Sequence, residues 1–139
     1  MDIQQKITPE NITKLSYPNE IFVFGSNESG RHGKGAAKTA MKFGAKYGQA
    51  EGLQGQSYGI PTKNSSITQT LPIHKIKAYV DRFTEFAKTH GTLIFYVTEI
   101  GCGLASLTPK EVAPLFEEAS KLDNVYLPKR FWHKLKGKI

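Results

Sequence analysis

The sequence predicts a single three-layer α/β/α domain built on a mostly parallel sheet. Three observations lead to this prediction. Short apolar runs recur along the chain, a helical pattern separates each run from the next, and 139 residues are enough for one domain but not for two. Strands that alternate with helices favour parallel pairing through right-handed crossovers, with helices on both faces of the sheet.

Four strands are expected, because four short segments are rich in apolar, β-branched or aromatic residues. The first, residues 21–25, is a continuous apolar run of the kind found in strands that are buried on both faces. Further strands are predicted over residues 57–61, 92–100 and 124–128, of which the segment 92–100 has the clearest pattern.

Helices are expected between these strands. Residues 34–47 carry a lysine at every fourth position and small or aromatic residues on the opposite side, which predicts a helix with one face in water. Residues 72–89 show an apolar stripe at helical spacing. A capping box opens a third helix at Thr108, in which Pro114 predicts either an irregular first turn or a later start. A short helix is predicted over residues 9–15.

The formal net charge of +7 would ordinarily indicate a polyanionic partner. Much of it comes from residues 129–139, which hold five basic side chains and no acid, whereas the rest of the chain has 14 basic and 12 acidic residues. This basic tail could contact nucleic acid through its lysines and Trp132, which would make the chain a nucleic-acid-associated module. The alternative is that Phe131 and Trp132 pack on the core, leaving a solvated terminus.

Several classes of protein are not favoured by the composition. No apolar stretch is long enough for a membrane span, and the first residues lack the apolar region of a signal peptide. The single Cys102 cannot form an intrachain disulfide, and no cysteine–histidine cluster has zinc-binding spacing. We therefore expect a cytoplasmic protein without a metal, a cofactor or a membrane partner.

Two glycine-bearing segments follow predicted strands, residues 25–35 and 101–106, and are called here the first and second glycine loops. In open α/β sheets, ligands bind beyond the carboxyl ends of the strands. Glycines let a phosphate approach the backbone, and the start of a following helix offers free N–H groups. Two such loops side by side could hold a diphosphate from both flanks, although either loop alone could be only a tight turn.

The first glycine loop does not match the common nucleotide-binding motifs. The spacing of Gly25 and Gly30 fits a Walker motif, but an Arg-His pair stands at 31–32, where lysine and a hydroxyl residue are required. Residues 33–35 have the glycine pair of a dinucleotide fingerprint without its last small position or its acidic partner. These differences argue against a kinase, an ATPase or a dehydrogenase.

The order of the motifs nevertheless resembles the macro domain, a family that binds ADP-ribose. VFGSN, which ends at Asn27 and precedes an alanine-rich helix, is similar to the family's first phosphate loop, and NITKL at 11–15 is similar to its opening Asp-Ile-Thr segment. YGIPTK at 58–63 resembles its second strand, and TEIGCGLASLTPKEVAPLFEEA at 98–119 resembles its second phosphate loop and helix. IGCGL is most similar to the branch that removes terminal ADP-ribose from proteins and DNA.

The resemblance implies a macro-like domain over residues 1–139 that binds ADP-ribose, a related NAD-derived nucleotide or an ADP-ribosylated macromolecule. Asn11 and Ile12 would lie near the adenine, with asparagine where the family usually has aspartate. Asn27 would contact the distal ribose. The other ligand-binding residues that the resemblance implies lie in the two glycine loops: Gly25, Ser26, Gly33, Lys34, Gly35, Gly101, Cys102, Gly103, Leu104 and Ala105.

The same resemblance leaves open whether the chain is an enzyme. Lys63 matches the lysine that attacks the adduct-bearing ribose carbon in this branch, but Ala105 occupies the position of the catalytic aspartate. The chain could therefore bind ADP-ribose only, or act as an ADP-ribosyl hydrolase. His32 is an acid–base candidate for an ADP-ribose 1″-phosphate phosphatase. Glu99 is interpreted as a structural acceptor, and Cys102 as a small buried side chain rather than a nucleophile.

Overall fold

The computed structural model describes residues 6–136, which form an α/β fold around one five-stranded sheet. The strands are β1 Glu20–Asn27, β2 Gly52–Gln54, β3 Ser57–Lys63, β4 Ile94–Val97 and β5 Val125–Tyr126. Their order across the sheet is β2-β3-β1-β4-β5, and every neighbouring pair is parallel except the antiparallel pair β2–β3. The mostly parallel sheet predicted from the sequence is confirmed.

The helices lie between and after the strands. They are α1 Gly35–Ala40, α2 Ile73–Thr89, α3 Pro109–Val112, α4 Glu117–Ser120 and α5 Lys129–Lys136. A 3₁₀ turn at Met41–Phe43 extends α1, and another at Ala113–Phe116 joins α3 to α4. The second turn contains Pro114, so the helix is irregular at that proline, but the irregular turn follows the regular first turn of α3 instead of replacing it. Within residues 6–136, no helix has the length and apolar character needed to cross a bilayer.

Three local predictions are corrected by the structure. Residues 9–15 form no helix, and the backbone at Asn11 takes a φ angle of +54°, which a right-handed helix does not allow. The helix predicted over 34–47 ends early, because Gly44 has a φ angle of +100° and the N–H of Lys46 donates to Gln54 Oε1 instead of to the preceding turn. The strand predicted over 92–100 is limited to β4.

The side chains of β1 divide between two hydrophobic clusters, because successive residues of a strand point to opposite faces. Ile21 and Val23 belong to the larger cluster, which also contains buried residues of α2 and α5. Phe22 and Phe24 belong to a smaller cluster with alanines of α1. Burial on both faces explains the continuous apolar run of this strand, and it fixes β1 in the middle of the sheet.

Most of the predicted basic tail is a packed helix. Phe131, Trp132 and Leu135 of α5 are buried, and Trp132 Nε1 donates a hydrogen bond of 3.0 Å to the carbonyl of Lys6. The packing alternative for the two aromatic residues is therefore confirmed, and the indole ring is not exposed for stacking on a base. Residues 137–139 of the predicted tail lie outside the described residues.

Candidate functional site

A cavity of about 720 Å³ opens where β1 and β3 end and the chain leaves β4. Every ligand-binding residue that was predicted in the two glycine loops lines this cavity, as do Asn27 and Lys63. The parallel pairing of β1 with both β3 and β4 brings these segments to one edge of the sheet, although they are far apart in sequence. The structure thus joins the two loops at a single site.

The first glycine loop is held in shape by Asn27. Its Oδ1 accepts hydrogen bonds from the N–H of Arg31 at 2.9 Å and from Ser29 Oγ at 2.8 Å, and its Nδ2 donates to the carbonyl of Arg31 at 2.9 Å. The side chain is 7% exposed. In the structure it organises the turn between β1 and the glycines, and contact with a ribose remains a prediction.

His32 lies beneath this loop, does not line the cavity and is 2% exposed. Its Nε2 is 3.0 Å from the carbonyl of Gln49 and 3.2 Å from Gln54 Oε1, both of which are acceptors, so Nε2 carries the proton. Nδ1 is buried and has no hydrogen-bond partner among the described residues. The ring also contacts Phe24 edge-on, with the ring centroids 5.2 Å apart. These contacts give His32 a structural role.

The second glycine loop is shaped by its own backbone. The N–H of Ser106 donates to the carbonyl of Gly103 at 3.0 Å, and the N–H of Leu107 donates to the carbonyl of Gly101 at 2.8 Å. A side-chain hydrogen bond also reaches the loop from another part of the chain, where Thr70 Oγ1 donates to the carbonyl of Ala105 at 2.7 Å. These backbone hydrogen bonds close the turn itself, while Ala105 is buried and Cys102 packs against the larger hydrophobic cluster.

Both loops present backbone donors and open space to the cavity. Among residues 6–136, no backbone or side-chain group accepts a hydrogen bond from the N–H groups of Gly33, Gly103 or Leu104. A Cβ atom added at Gly33 or at Gly103 would meet no atom within 4 Å. Free N–H groups beside empty space are what a bound oxyanion requires.

The charged side chains that line the cavity are mostly basic. Arg31, Lys34 and Lys63 form no ion pair within the described part of the chain. The one acidic lining residue, Glu99, accepts two hydrogen bonds of 2.6 Å from the Arg130 guanidinium. These hydrogen bonds hold the pKa of Glu99 below its ordinary value. Because Glu99 is already neutralised, the cavity favours an anionic ligand.

Cys102 lies in the second loop and is half-buried. Burial, with a smaller contribution from Glu99, raises the pKa of its thiol to about 11. The thiol is therefore protonated near neutral pH, and a protonated thiol is a poor nucleophile. This agrees with the interpretation of Cys102 as a packed side chain.

A second cavity of about 620 Å³ adjoins the first, and both are lined by Ala36, Thr98 and Glu99. Asn11 and Ile12 line the second cavity, not the first. The structure therefore places the predicted adenine-side residues next to the loop cavity but separate from it.

Among the residues that line the larger cavity but were not predicted from the sequence are Arg31, Tyr47 and Ile67. Arg31 was considered only as a mismatch to the Walker motif, although a basic residue beside glycines is a sequence signal for an anion-binding position. Tyr47 was placed on the buried side of a longer helix, whereas its side chain is 64% exposed. Ile67 lies in the loop between β3 and α2, and nothing in its sequence context marks it.

The function has to be inferred from these motifs and from the two cavities. In comparisons with known proteins, the chain matches no family model, no curated protein and no solved structure.

Proposed function

We propose that this protein binds ADP-ribose, or a closely related NAD-derived nucleotide, with the diphosphate held between the two glycine loops. The observation that carries the proposal is that both loops border one cavity and present free N–H groups and open glycines to it. A diphosphate needs many donors at close range, and backbone N–H groups next to glycine provide them without steric hindrance.

The charge of the cavity supports the same ligand class. Arg31, Lys34 and Lys63 give the cavity a positive excess, because the carboxylate of Glu99 is paired with Arg130. A diphosphate carries negative charge that this excess would attract. A neutral sugar or an amino acid would leave the three basic side chains without counter-charge.

The second cavity supports a ligand with a nucleoside at one end. It adjoins the loop cavity through Thr98 and Glu99, and it is bordered by Ile12 and Phe22 as well as by the polar Asn11. An apolar wall with one amide suits a nucleobase, which has flat faces and a polar edge. The adenine would then occupy this cavity and the second ribose would lie in the larger one, near Lys63.

The macro-type, three-layer arrangement of the domain is part of this proposal. It is supported by the two hydrophobic clusters that the alternating side chains of β1 enter, one with residues of α1 and the other with residues of α2. The expected cytoplasmic location belongs to the proposal as well. It is supported by the single cysteine of the chain.

Hydrolysis of an ADP-ribosyl bond is the second candidate, favoured by one observation. Lys63 lines the loop cavity and has no ion-pair partner among residues 6–136, so its amine is accessible to a ligand. Ala105 lines the same cavity and brings no carboxylate, which leaves proton transfer without a suitable residue. A phosphatase that depends on His32 is less favoured, because that ring is buried outside both cavities.

Calorimetric titration with ADP-ribose tests the binding proposal, and we expect a dissociation constant in the micromolar range. Gly103→Val should weaken binding by about tenfold or more, because its side chain would enter the space meant for a phosphate. Gly91→Val is the matched control: a Cβ at Gly91 also meets no atom within 4 Å, and Gly91 lies between α2 and β4, outside both cavities.

The control should bind as the unmodified protein does. The proposal would be refuted if ADP-ribose, ADP and NAD at millimolar concentration all gave no heat of binding and no sign of binding in a competition experiment.

For the hydrolase candidate, Lys63→Ala should stop release of ADP-ribose from a modified protein or oligonucleotide, and unchanged release would exclude this lysine as the nucleophile. Binding of an unmodified oligonucleotide with a steep salt dependence would favour the nucleic-acid alternative instead.

A further inference from the structure

An isoleucine in an unfavourable backbone conformation lies next to Lys63. Ile67 belongs to the loop of residues 64–70 between β3 and α2, and its φ angle is +61°, in the left-handed region. A β-branched residue is rarely found there, because the Cβ atom comes too close to the following carbonyl oxygen. A conformation of this kind persists only where its surroundings impose it, and such positions are concentrated at functional sites.

The surroundings that impose it are hydrogen bonds within the loop. Asn64 Oδ1 accepts from the N–H of Thr68 at 3.0 Å and from the N–H of Gln69 at 3.3 Å, while the N–H of Ile67 donates to the carbonyl of Asn64 at 3.0 Å. An antiparallel bridge between Lys63 and Thr70 closes the loop at its base. The loop is thus fixed directly to the residue proposed to face the second ribose.

Ile67 is the residue of this loop segment, 65–69, that borders the larger cavity. It is the one apolar residue in the sequence NSSITQT of this loop. It is half-buried and lines the larger cavity, whereas Ser65, Ser66, Thr68 and Gln69 are exposed and do not line it. A residue type that opposes the local backbone has therefore been placed where a ligand would meet an apolar surface.

The geometry points to Ile67 as a specificity-determining residue that packs on the apolar face of the ligand's second sugar ring and holds that ring beside Lys63. This inference rests on the binding function proposed above. One face of a furanose presents mainly C–H groups, which an aliphatic side chain covers without competing for the hydroxyls. The preferred ligand class is then a nucleoside diphosphate that carries a second sugar, not a nucleoside diphosphate alone.

The test compares ADP-ribose with ADP in the full chain, because ADP lacks the ring that Ile67 contacts. Ile67→Asn should weaken ADP-ribose binding by about tenfold and change ADP binding by less than about twofold. Asparagine tolerates the left-handed region, so the same variant should also raise the midpoint of thermal unfolding or leave it unchanged. A purely structural role for Ile67 would not move the ratio of the two affinities.

Two further variants complete the experiment. Ser65→Asn introduces the same amide into the same loop at an exposed position outside the cavity, and it should preserve both affinities. Ile67→Val keeps an apolar β-branched surface and should keep most of the preference for ADP-ribose. Equal weakening of both ligands by Ile67→Asn, or no weakening of either, would overturn the inference while leaving the binding function standing. Failure of the unmodified protein to bind either ligand would overturn both.

Discussion

The two glycine loops line the same cavity but are held in place by different means. The first depends on buried side chains, since Asn27 shapes its turn and His32 connects it to the segment around Gln49 and Gln54. The second closes on itself through backbone hydrogen bonds at Gly101 and its neighbours. Buried side chains thus connect the first loop to a distant segment, whereas the turn of the second loop is closed mainly by its own backbone.

Glycines within each loop also divide into two kinds. A Cβ at Gly30 would lie 2.5 Å from the carbonyl carbon of Gly48, and Gly101 has a φ angle of +77°, so neither position accepts another residue easily. Gly33 and Gly103 have open space where a side chain would be. The first kind builds the loops, and the second kind leaves room for a ligand.

The largest expected effect comes from Gly30→Ala in the first loop. The added Cβ would overlap backbone atoms of Gly48 and Gln49 at 2.5–2.8 Å, at a φ angle of +71°. We expect the free energy of unfolding to fall by about 4 kcal/mol, measured by urea denaturation. Gly33→Ala is the matched control and should change it by less than about 1 kcal/mol. Equal losses in both variants would remove the distinction between the two kinds of glycine.

The second-largest change in the free energy of unfolding is expected at His32, which lies beneath the first loop. His32→Ala removes a buried ring and the hydrogen bond to the carbonyl of Gln49, so we expect the free energy of unfolding to fall by about 3 kcal/mol. Denaturant unfolding followed by circular dichroism measures this change. A His32 variant that keeps full stability but loses hydrolysis of a phosphate ester would contradict the structural role and favour an acid–base role.

A smaller effect is expected at Thr70, whose hydroxyl forms a hydrogen bond with the second loop. Thr70→Val removes the hydroxyl that donates to the carbonyl of Ala105 and keeps the shape of the side chain. The free energy of unfolding should fall by about 1 kcal/mol, because the loop retains its own backbone hydrogen bonds. A loss as large as that of His32→Ala would mean that the second loop also depends on distant support.

The smallest effect is a chemical one, at Cys102 in the second loop. Because burial raises the pKa of this thiol to about 11 from an ordinary value of 9.0, its alkylation by iodoacetamide should be slow near pH 7 and should rise with pH up to about 11. Unfolding in urea should move the midpoint of the rate profile down towards 9.0. Mass spectrometry of timed samples measures the rate. Fast alkylation of the folded protein at pH 7 would refute the raised pKa.

The sequence predicted those parts of the fold that local pattern controls. The apolar runs located β1, β3, β4 and β5, and the helical stripe located α2. β2 was missed because its three residues, Gly52–Gln54, have no apolar alternation and pair only at the edge of the sheet. The helix predicted over 9–15 is wrong because so short a segment has little helical stability of its own, and here Ile12 and Leu15 pack on the smaller cluster from a non-helical backbone.

The site residues could likewise be predicted where a local motif marks them, but not where tertiary contacts place them. Glycines and the lysine of IPTK were found because they stand in short motifs, and the structure brings them to one cavity. The burial of His32 could not be predicted, since its partners Gln49 and Gln54 come from a segment that pattern reasoning treated as a plain loop. The cavity-facing position of Ile67 depends on hydrogen bonds of Asn64 that no spacing rule describes.

The packing of α5 on the N-terminal segment has a consequence for synthesis. Trp132 donates to the carbonyl of Lys6, and Ile7 bridges to Leu127, so part of what holds the start of the described chain comes from its end. At ribosomal rates of about 5–20 residues per second, the interval between these two segments is about 6–25 s. The second cavity is bordered by Thr8 on one side and by residues 128–130 on the other. The nascent chain can therefore complete the second cavity only after the start of α5 has been made, whereas the two glycine loops precede α5 in the chain.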